Sequence, residues 1–150
     1  MLGEGHPILL LAGPPGTGKT HLAKAAALEL ARANENVVYR TEMALMAELH
    51  VAVKEGWLTT LRYMCHEVDS LILDDMGVAA LSDWEKAFIE ELVDMRWSRS
   101  MKLLVSTNFS NAQLPARLAD RLGDVQRARV VQISAPSYRK EKRAPHNPQP

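Results

Sequence analysis

The run Gly13-Pro14-Pro15-Gly16-Thr17-Gly18-Lys19-Thr20 constrains this chain more than any other stretch. It fits G-x-x-x-x-G-K-[ST] and lies directly after the apolar run Ile8 to Ala12 and directly before a helical pattern, where a loop that cradles phosphate must lie. Gly13, Gly16 and Gly18 lack a Cβ, so the backbone can aim several N–H groups at one anion. The following helix would offer its unpaired N–H groups and positive dipole end to the same phosphates. Lys19 would bring a point charge to the β- and γ-phosphates, and Thr20 a hydroxyl for Mg²⁺. A Gly/Pro-rich turn can match such a pattern by accident, but the strand before it and the helix after it make nucleotide binding the expected role.

Around this loop the chain alternates strand and helix. Ile8 to Ala12 is continuously apolar, as a strand buried on both faces is. Leu22, Ala26, Leu30 and Ala33 then recur at helical spacing, with small alanines beside them that allow close packing on a sheet. Val37 to Arg40 reads as a second strand, so strand, loop, helix and strand form one βαβ unit. Thr41 can cap a helix that turns Leu45, Met46, Leu49 and Val53 to the core, with Gly56 as its stop. A further helical stretch carries Leu58, Leu61, Met64 and Cys65, while His50, Lys54 and Arg62 read as solvated. Ser70 to Leu73 is a third strand, running out into Asp74-Asp75. Ser82 and Glu85 stand at capping-box spacing and open a helix with Trp84, Phe88, Leu92 and Met95 on one face, expected to be core. Met101 to Val105, a short helix around Pro115 to Leu122, and Arg129 to Ile133 complete a five-strand pattern. The expected fold is α/β: a mostly parallel five-stranded sheet with helices on both faces, its ligand bound beyond the carboxyl ends of the strands.

Polar clusters at three strand ends can converge on one nucleotide. Besides the loop, these are Asp74-Asp75 and Thr107-Asn108. An apolar strand ending in two acids downstream of a phosphate loop matches the second nucleotidase motif. Asp74 would orient Mg²⁺ through its waters, and Asp75 would polarise the water that attacks the γ-phosphate. Asn108 would place an amide near that phosphate or water, the alternative being a plain turn asparagine.

Composition excludes other classes. At 150 residues, 47% hydrophobic and 24% charged, the chain can bury one core without staples. Its single cysteine, Cys65, excludes an internal disulfide, and no apolar run reaches the roughly 18 residues of a membrane span, which makes the cytoplasm the default compartment. A formal net charge of zero advertises no nucleic-acid partner globally, so DNA contact would need a local patch.

The ordered motifs resemble the AAA+ ATPases, and among them the DnaC/IstB-like branch of helicase loaders and transposition helper proteins. The pieces are the loop continued by His21-Leu22-Ala23, Leu71-Ile72-Leu73-Asp74-Asp75-Met76-Gly77, Ser106-Thr107-Asn108, and Leu118-Ala119-Asp120-Arg121-Leu122 followed by Ala135-Pro136-Ser137-Tyr138-Arg139. This resemblance implies an AAA+ core over residues 1–138 without a separate lid domain, and a disordered basic, Pro-rich tail over 139–150. It implies ATP and Mg²⁺ as cofactors, Asp75 as catalytic carboxylate, Asn108 as sensor, and Arg121 as an arginine acting on a neighbouring subunit's nucleotide. The bland reading of Arg121 is a surface pair with Asp120 or Asp124. Arg139 is a candidate second sensor. Implied partners are further copies of the chain with nucleotide at their interfaces, a replicative helicase or a transposase, and single- or double-stranded DNA, with no membrane. Relatives carry a segment ahead of strand one that helps hold adenine; with seven residues in that place, phosphates are expected to dominate affinity, and ATP and GTP to bind within about tenfold of each other.

The expected activity is ATP hydrolysis in the service of helicase loading, with transposition helper as the nearest alternative. A nucleotide-gated adaptor with little hydrolysis is the rival of a different class. A small-molecule kinase would share the loop but not the acid pair followed by Ser-Thr-Asn.

Overall fold

The computed structural model describes residues 5–77, 79–109 and 114–134. Ten elements follow the expected alternation: β1 (Ile8–Ala12), α1 (Lys19–Arg32), β2 (Val37–Thr41), α2 (Glu42–Glu55), α3 (Leu58–Glu67), β3 (Ser70–Met76), α4 (Asp83–Ser98), β4 (Lys102–Thr107), α5 (Ala116–Leu122) and β5 (Ala128–Gln132). The five strands form one sheet in the order β2-β3-β4-β1-β5, and all four pairings are parallel. The expectations for 139–150 and for Arg139 lie outside the described residues.

Strand order adds what the strand, helix and strand pattern leaves open. β1 and β2 are joined through α1 as a βαβ unit would be, yet they are not neighbours, because β4 and β3 lie between them. The crossover helix accordingly runs across β2, β3 and β4. The carboxyl end of β1 is thus a switch point: the chain leaves it toward β2 on one side and returns from β4 to β5 on the other, which opens a crevice there.

Side-chain alternation divides the core in two. Leu11, Ile72 and Leu104 face α1, packing with Ala23 and the half-buried Ala26, Ala27 and Leu30. Leu10, Leu71, Leu73, Leu103 and Val105 face the other way, toward α2, α3, α4 and α5. Of the stripe expected on α1, Ala26 and Leu30 pack on the sheet beside Ala23 and Ala27, whereas Leu22 and Ala33 are exposed. The stripe of α2 runs Leu45, Met46, Leu49, Ala52, because a 3.6-residue turn carries position 52, not Val53, under the sheet. Met64 and Trp84 are also exposed rather than core; the Trp84 indole meets the His50 ring edge-on, with centroids 5.2 Å apart. Cys65 is buried, and burial pushes its thiol up to about 11, so it is not a thiolate at neutral pH.

Local signals set the ends of the helices. Thr41 Oγ1 accepts the Ala44 N–H at 3.2 Å, and Gly56 closes α2 at φ 80°. At the start of α4, the Glu85 carboxylate accepts the Ser82 N–H at 2.7 Å and the Ser82 hydroxyl. These contacts, with His50 at 2.8 Å, hold that carboxyl at about 2.

One buried charge joins the end opposite the loop. Arg96 is completely buried, and its guanidinium donates to the carbonyls of Cys65, His66, Val68, Asp69 and Lys102 at 2.8 to 3.4 Å. It thereby caps the C-terminus of α3, where a cation is also favoured by the dipole, and ties the starts of β3 and β4 together. Burial lowers its pKa to about 10, so it remains charged at neutral pH. Arg96→Leu, which strands these acceptors, should lower the unfolding free energy by about 3 kcal/mol or more in urea titrations. Arg96→Lys should recover only part of this, because an ammonium lacks the planar five-donor fork.

Candidate functional site

The loop joining β1 to α1 stands at the switch point. Gly13 is buried against the chain leaving β5: a Cβ there would lie 2.2 Å from the Ile133 carbonyl oxygen, so only glycine fits. Ile133 in turn donates its N–H to Ala12 O at 2.7 Å. Gly18 takes the N-cap position of α1 at φ 93°, a conformation that costs glycine least. Its helix start has no side-chain cap and no acid in the first turn. The orphan N–H groups and the dipole of such an end favour an anion.

Lys19 is 4% exposed. Its ammonium donates to the Gly13 and Pro14 carbonyls at 2.7 and 2.8 Å, with Thr17 Oγ1 at 3.5 Å. Thr17 also donates to Pro14 O at 3.0 Å, so the loop is internally braced. Burial lowers the pKa of Lys19, while the charges of Asp75 and Asp74 act in the opposite sense. Thr20, the next residue, is half-buried in the first turn of α1.

Asp74 and Asp75 lie inside β3, which extends to Met76. Register with β4 is interrupted between Leu73 and Met76, and Asp75 takes φ 55° there. A bulge of this kind re-aims a side chain. Asp74 stays on the α1 face, two residues beyond Ile72, and is completely buried. Tyr39 Oη donates to its Oδ2 at 2.6 Å, and Ser106 Oγ donates to its Oδ1. Ser106 Oγ also accepts the Asp75 N–H at 3.0 Å. Beyond β3, the buried Glu42 carboxylate accepts the N–H groups of Gly77 and Ala79, anchoring the outgoing turn to α2.

Asn108 follows β4, the strand between β1 and β3. Thr107 fixes its position: the hydroxyl donates to Met76 O at 2.8 Å and accepts the Phe109 N–H at 3.1 Å. Loop, acid pair and Asn108 therefore share the carboxyl edge of three adjacent strands.

Arg121 is not brought to them. It donates to Asp94 at 2.8 Å and to Asp120 at 3.0 Å, and its guanidinium lies 4.1 Å from the centre of the Trp97 ring. Trp97 is next to the last residue of α4, which ends where β4 begins. Helices in such a sheet run antiparallel to the strands, so Arg121 sits at the amino edge, the end of the sheet opposite its own loop. Asp94 is shared with Arg117, and Arg127 also stacks on Trp97. The surface pair with Asp120 is present, but Asp94, not Asp124, is its second acid.

The residues fit a Mg²⁺-nucleotide. Among the described residues no three His, Cys, Asp or Glu side chains gather to hold a metal alone. Mg²⁺ at a phosphate needs none, since it keeps waters and takes one or two protein oxygens beside those of the substrate. Thr20 and Asp74 are the oxygens available. Sequence reasoning passed over Tyr39, Ser106 and Glu42. Ser106 belonged to the Ser106-Thr107-Asn108 motif but had been given no role, and a strand aromatic and a first-turn acid carry no local signal that marks Tyr39 and Glu42.

The sequence profile of the IstB-like ATP binding proteins matches residues 4–145. The chain is 29% identical over 120 residues to the replicative helicase loader DnaC of Escherichia coli K12, which covers 79% of this chain and 49% of that protein. It is 30% identical over 144 residues to a protein of insertion sequence IS21 from Pseudomonas aeruginosa named for ATP binding, covering 90% of this chain and 54% of that one. The chain thus spans about half the length of the curated relatives it matches. Among solved structures, the DnaC helicase loader superposes with a TM-score of 0.67 at 26% identity, over 87% of this chain and 79% of that chain. AMPPCP-bound DnaA from Aquifex aeolicus shares the fold, with a TM-score of 0.79 at 22% identity over 93% and 45% of the respective chains.

Proposed function

Because this chain belongs to the IstB-like ATP-binding protein family, we propose that it is a Mg²⁺-dependent ATPase that acts in DNA replication as a helicase loader. The observation that carries the hydrolytic reading is the placement of a buried Lys19 after β1 and the Asp74-Asp75 pair at the end of β3 on one edge of the sheet, with β4 between the two strands. In this reading the Gly13–Thr20 loop and the start of α1 bind the phosphates, and Lys19 leaves the loop carbonyls for the β- and γ-phosphates. Thr20 and Asp74 hold Mg²⁺, which when bound neutralises charge on the phosphate oxygens. Asp75 orients the attacking water and takes its proton as the bond from the γ-phosphorus to the leaving ADP oxygen breaks. Asn108 helps to hold that water or the γ-phosphate. Arg121 reaches the nucleotide of a neighbouring copy, so the active form is an assembly with nucleotide at its interfaces.

Transposition is the second reading, favoured by the IstB family match and the IS21 relative. The two differ in partner, a replicative helicase or a transposase, with DNA alongside in both. Single-turnover hydrolysis, measured with and without single-stranded DNA, separates an ATPase from an adaptor that only binds. Hydrolysis that DNA stimulates is the expected result, and tight ATP binding without turnover favours the adaptor. Adding the protein to a purified helicase and circular single-stranded DNA tests loading itself. Lys19→Ala should weaken fluorescent ATP binding by at least about tenfold, because two charge-assisted contacts are lost at 1.4 kcal/mol per decade; unchanged binding would sink the loop assignment.

A further inference from the structure

A fully buried carboxylate is costly unless hydrogen-bond donors answer it. Asp74 has two, one from each flanking strand. Tyr39 on β2 lies opposite Ile72, and Asp74 is two residues beyond Ile72, so the ring runs along the α1 face and its hydroxyl reaches Oδ2 at 2.6 Å. Ser106 on β4 is two residues beyond Leu104, the partner of Ile72, and reaches Oδ1 from the other side. The same Ser106 oxygen accepts the Asp75 amide at 3.0 Å, which joins the two acids through one hydroxyl. Two of the roughly four acceptor positions of the carboxylate are taken, leaving two for an ion or its waters.

We infer that Tyr39 and Ser106 are positioning residues that fix the Asp74 carboxylate for a divalent cation at the nucleotide, and that the edge strand β2 is tied to the ion site through the Tyr39 hydroxyl. The inference rests on the assignment of Asp74 as an ion-binding carboxylate made under the proposed function. The Tyr39 hydroxyl donates its hydrogen to Oδ2 from the neighbouring strand, and its ring packs on the α1 face. Without that donor Asp74 keeps its place but loses one of the two bonds that set its orientation. Outer-shell partners of this kind typically contribute 10- to 100-fold to metal affinity.

The test uses Mn²⁺ as the probe, titrated by electron paramagnetic resonance into the complex of the full chain with ADP; ADP affinity is measured separately in EDTA. Tyr39→Phe keeps the ring and removes the donor. Its Mn²⁺ affinity should fall about tenfold with unchanged ADP affinity in EDTA. Asp74→Asn provides the reference loss. Wild-type Mn²⁺ affinity in Tyr39→Phe, beside a clear loss in Asp74→Asn, overturns the inference, even if the unfolding midpoint of Tyr39→Phe drops. Wild-type Mn²⁺ affinity in Asp74→Asn overturns instead the assignment beneath it. If Tyr39→Phe does not fold, Ser106→Ala removes the donor to the other oxygen and is read in the same way.

Discussion

Arg121→Ala is expected to bind ATP like the wild type and to hydrolyse it 10³ to 10⁵ times more slowly, the range seen when a GTPase loses a borrowed arginine. Arg121 cannot serve its own nucleotide, because Asp94 and the Trp97 ring hold it at the amino edge of the sheet. To act on a neighbouring copy that presents its loop to that edge, the guanidinium would exchange its contacts with Asp94 and Asp120 for phosphate. Wild-type specific activity should then rise with protein concentration. Mixing provides the decisive control. Arg121→Ala keeps a nucleotide site and Lys19→Ala keeps an arginine, so the mixture should recover activity that neither has alone. Two inactive variants that stay inactive together, despite demonstrated co-assembly, would remove the claim of action in trans. Full activity in Arg121→Ala alone would shift attention to Arg117, which shares Asp94.

Local features of the fold were legible because local chemistry sets them. The Thr41 cap, the Gly56 stop, the Ser82-Glu85 pair and the apolar runs each depend on residues within a turn or a strand. Neighbour relations were not. Periodicity states which face of a strand is buried but not which strand lies beside it, so β1 and β2 were read as a unit although two strands separate them. The same limit hid the bond from Tyr39 to Asp74, which crosses from β2 to β3. Arg96 was passed over because a charged residue on a helix ordinarily reads as solvated; its five carbonyl partners come from segments that only the tertiary fold assembles. That the phosphate loop, the acid pair and Asn108 share one edge was legible from their places at strand ends, since the carboxyl edge of a parallel sheet gathers such residues whatever the strand order. For Arg121, the sequence anticipated the pairing with Asp120 but not the hold of Asp94 and Trp97.

The central claim is that ATP bound at the Gly13–Thr20 loop is split with the help of Asp75, and Asp75→Asn isolates that step. Asparagine accepts positive φ at least as readily as aspartate, so the backbone at φ 55° and its amide bond to Ser106 should survive the change. What is lost is the charge and basicity that orient water and take its proton, a function typically worth 10² to 10⁴ in rate. The most direct measurement is single-turnover hydrolysis of γ-labelled ATP by wild type and Asp75→Asn, at saturating protein with Mg²⁺, after equal ATP affinity has been established for both. A rate 10² to 10⁴ times lower in Asp75→Asn is the result expected, whereas hydrolysis at the wild-type rate would contradict the account and make Asp74 the next carboxylate to test.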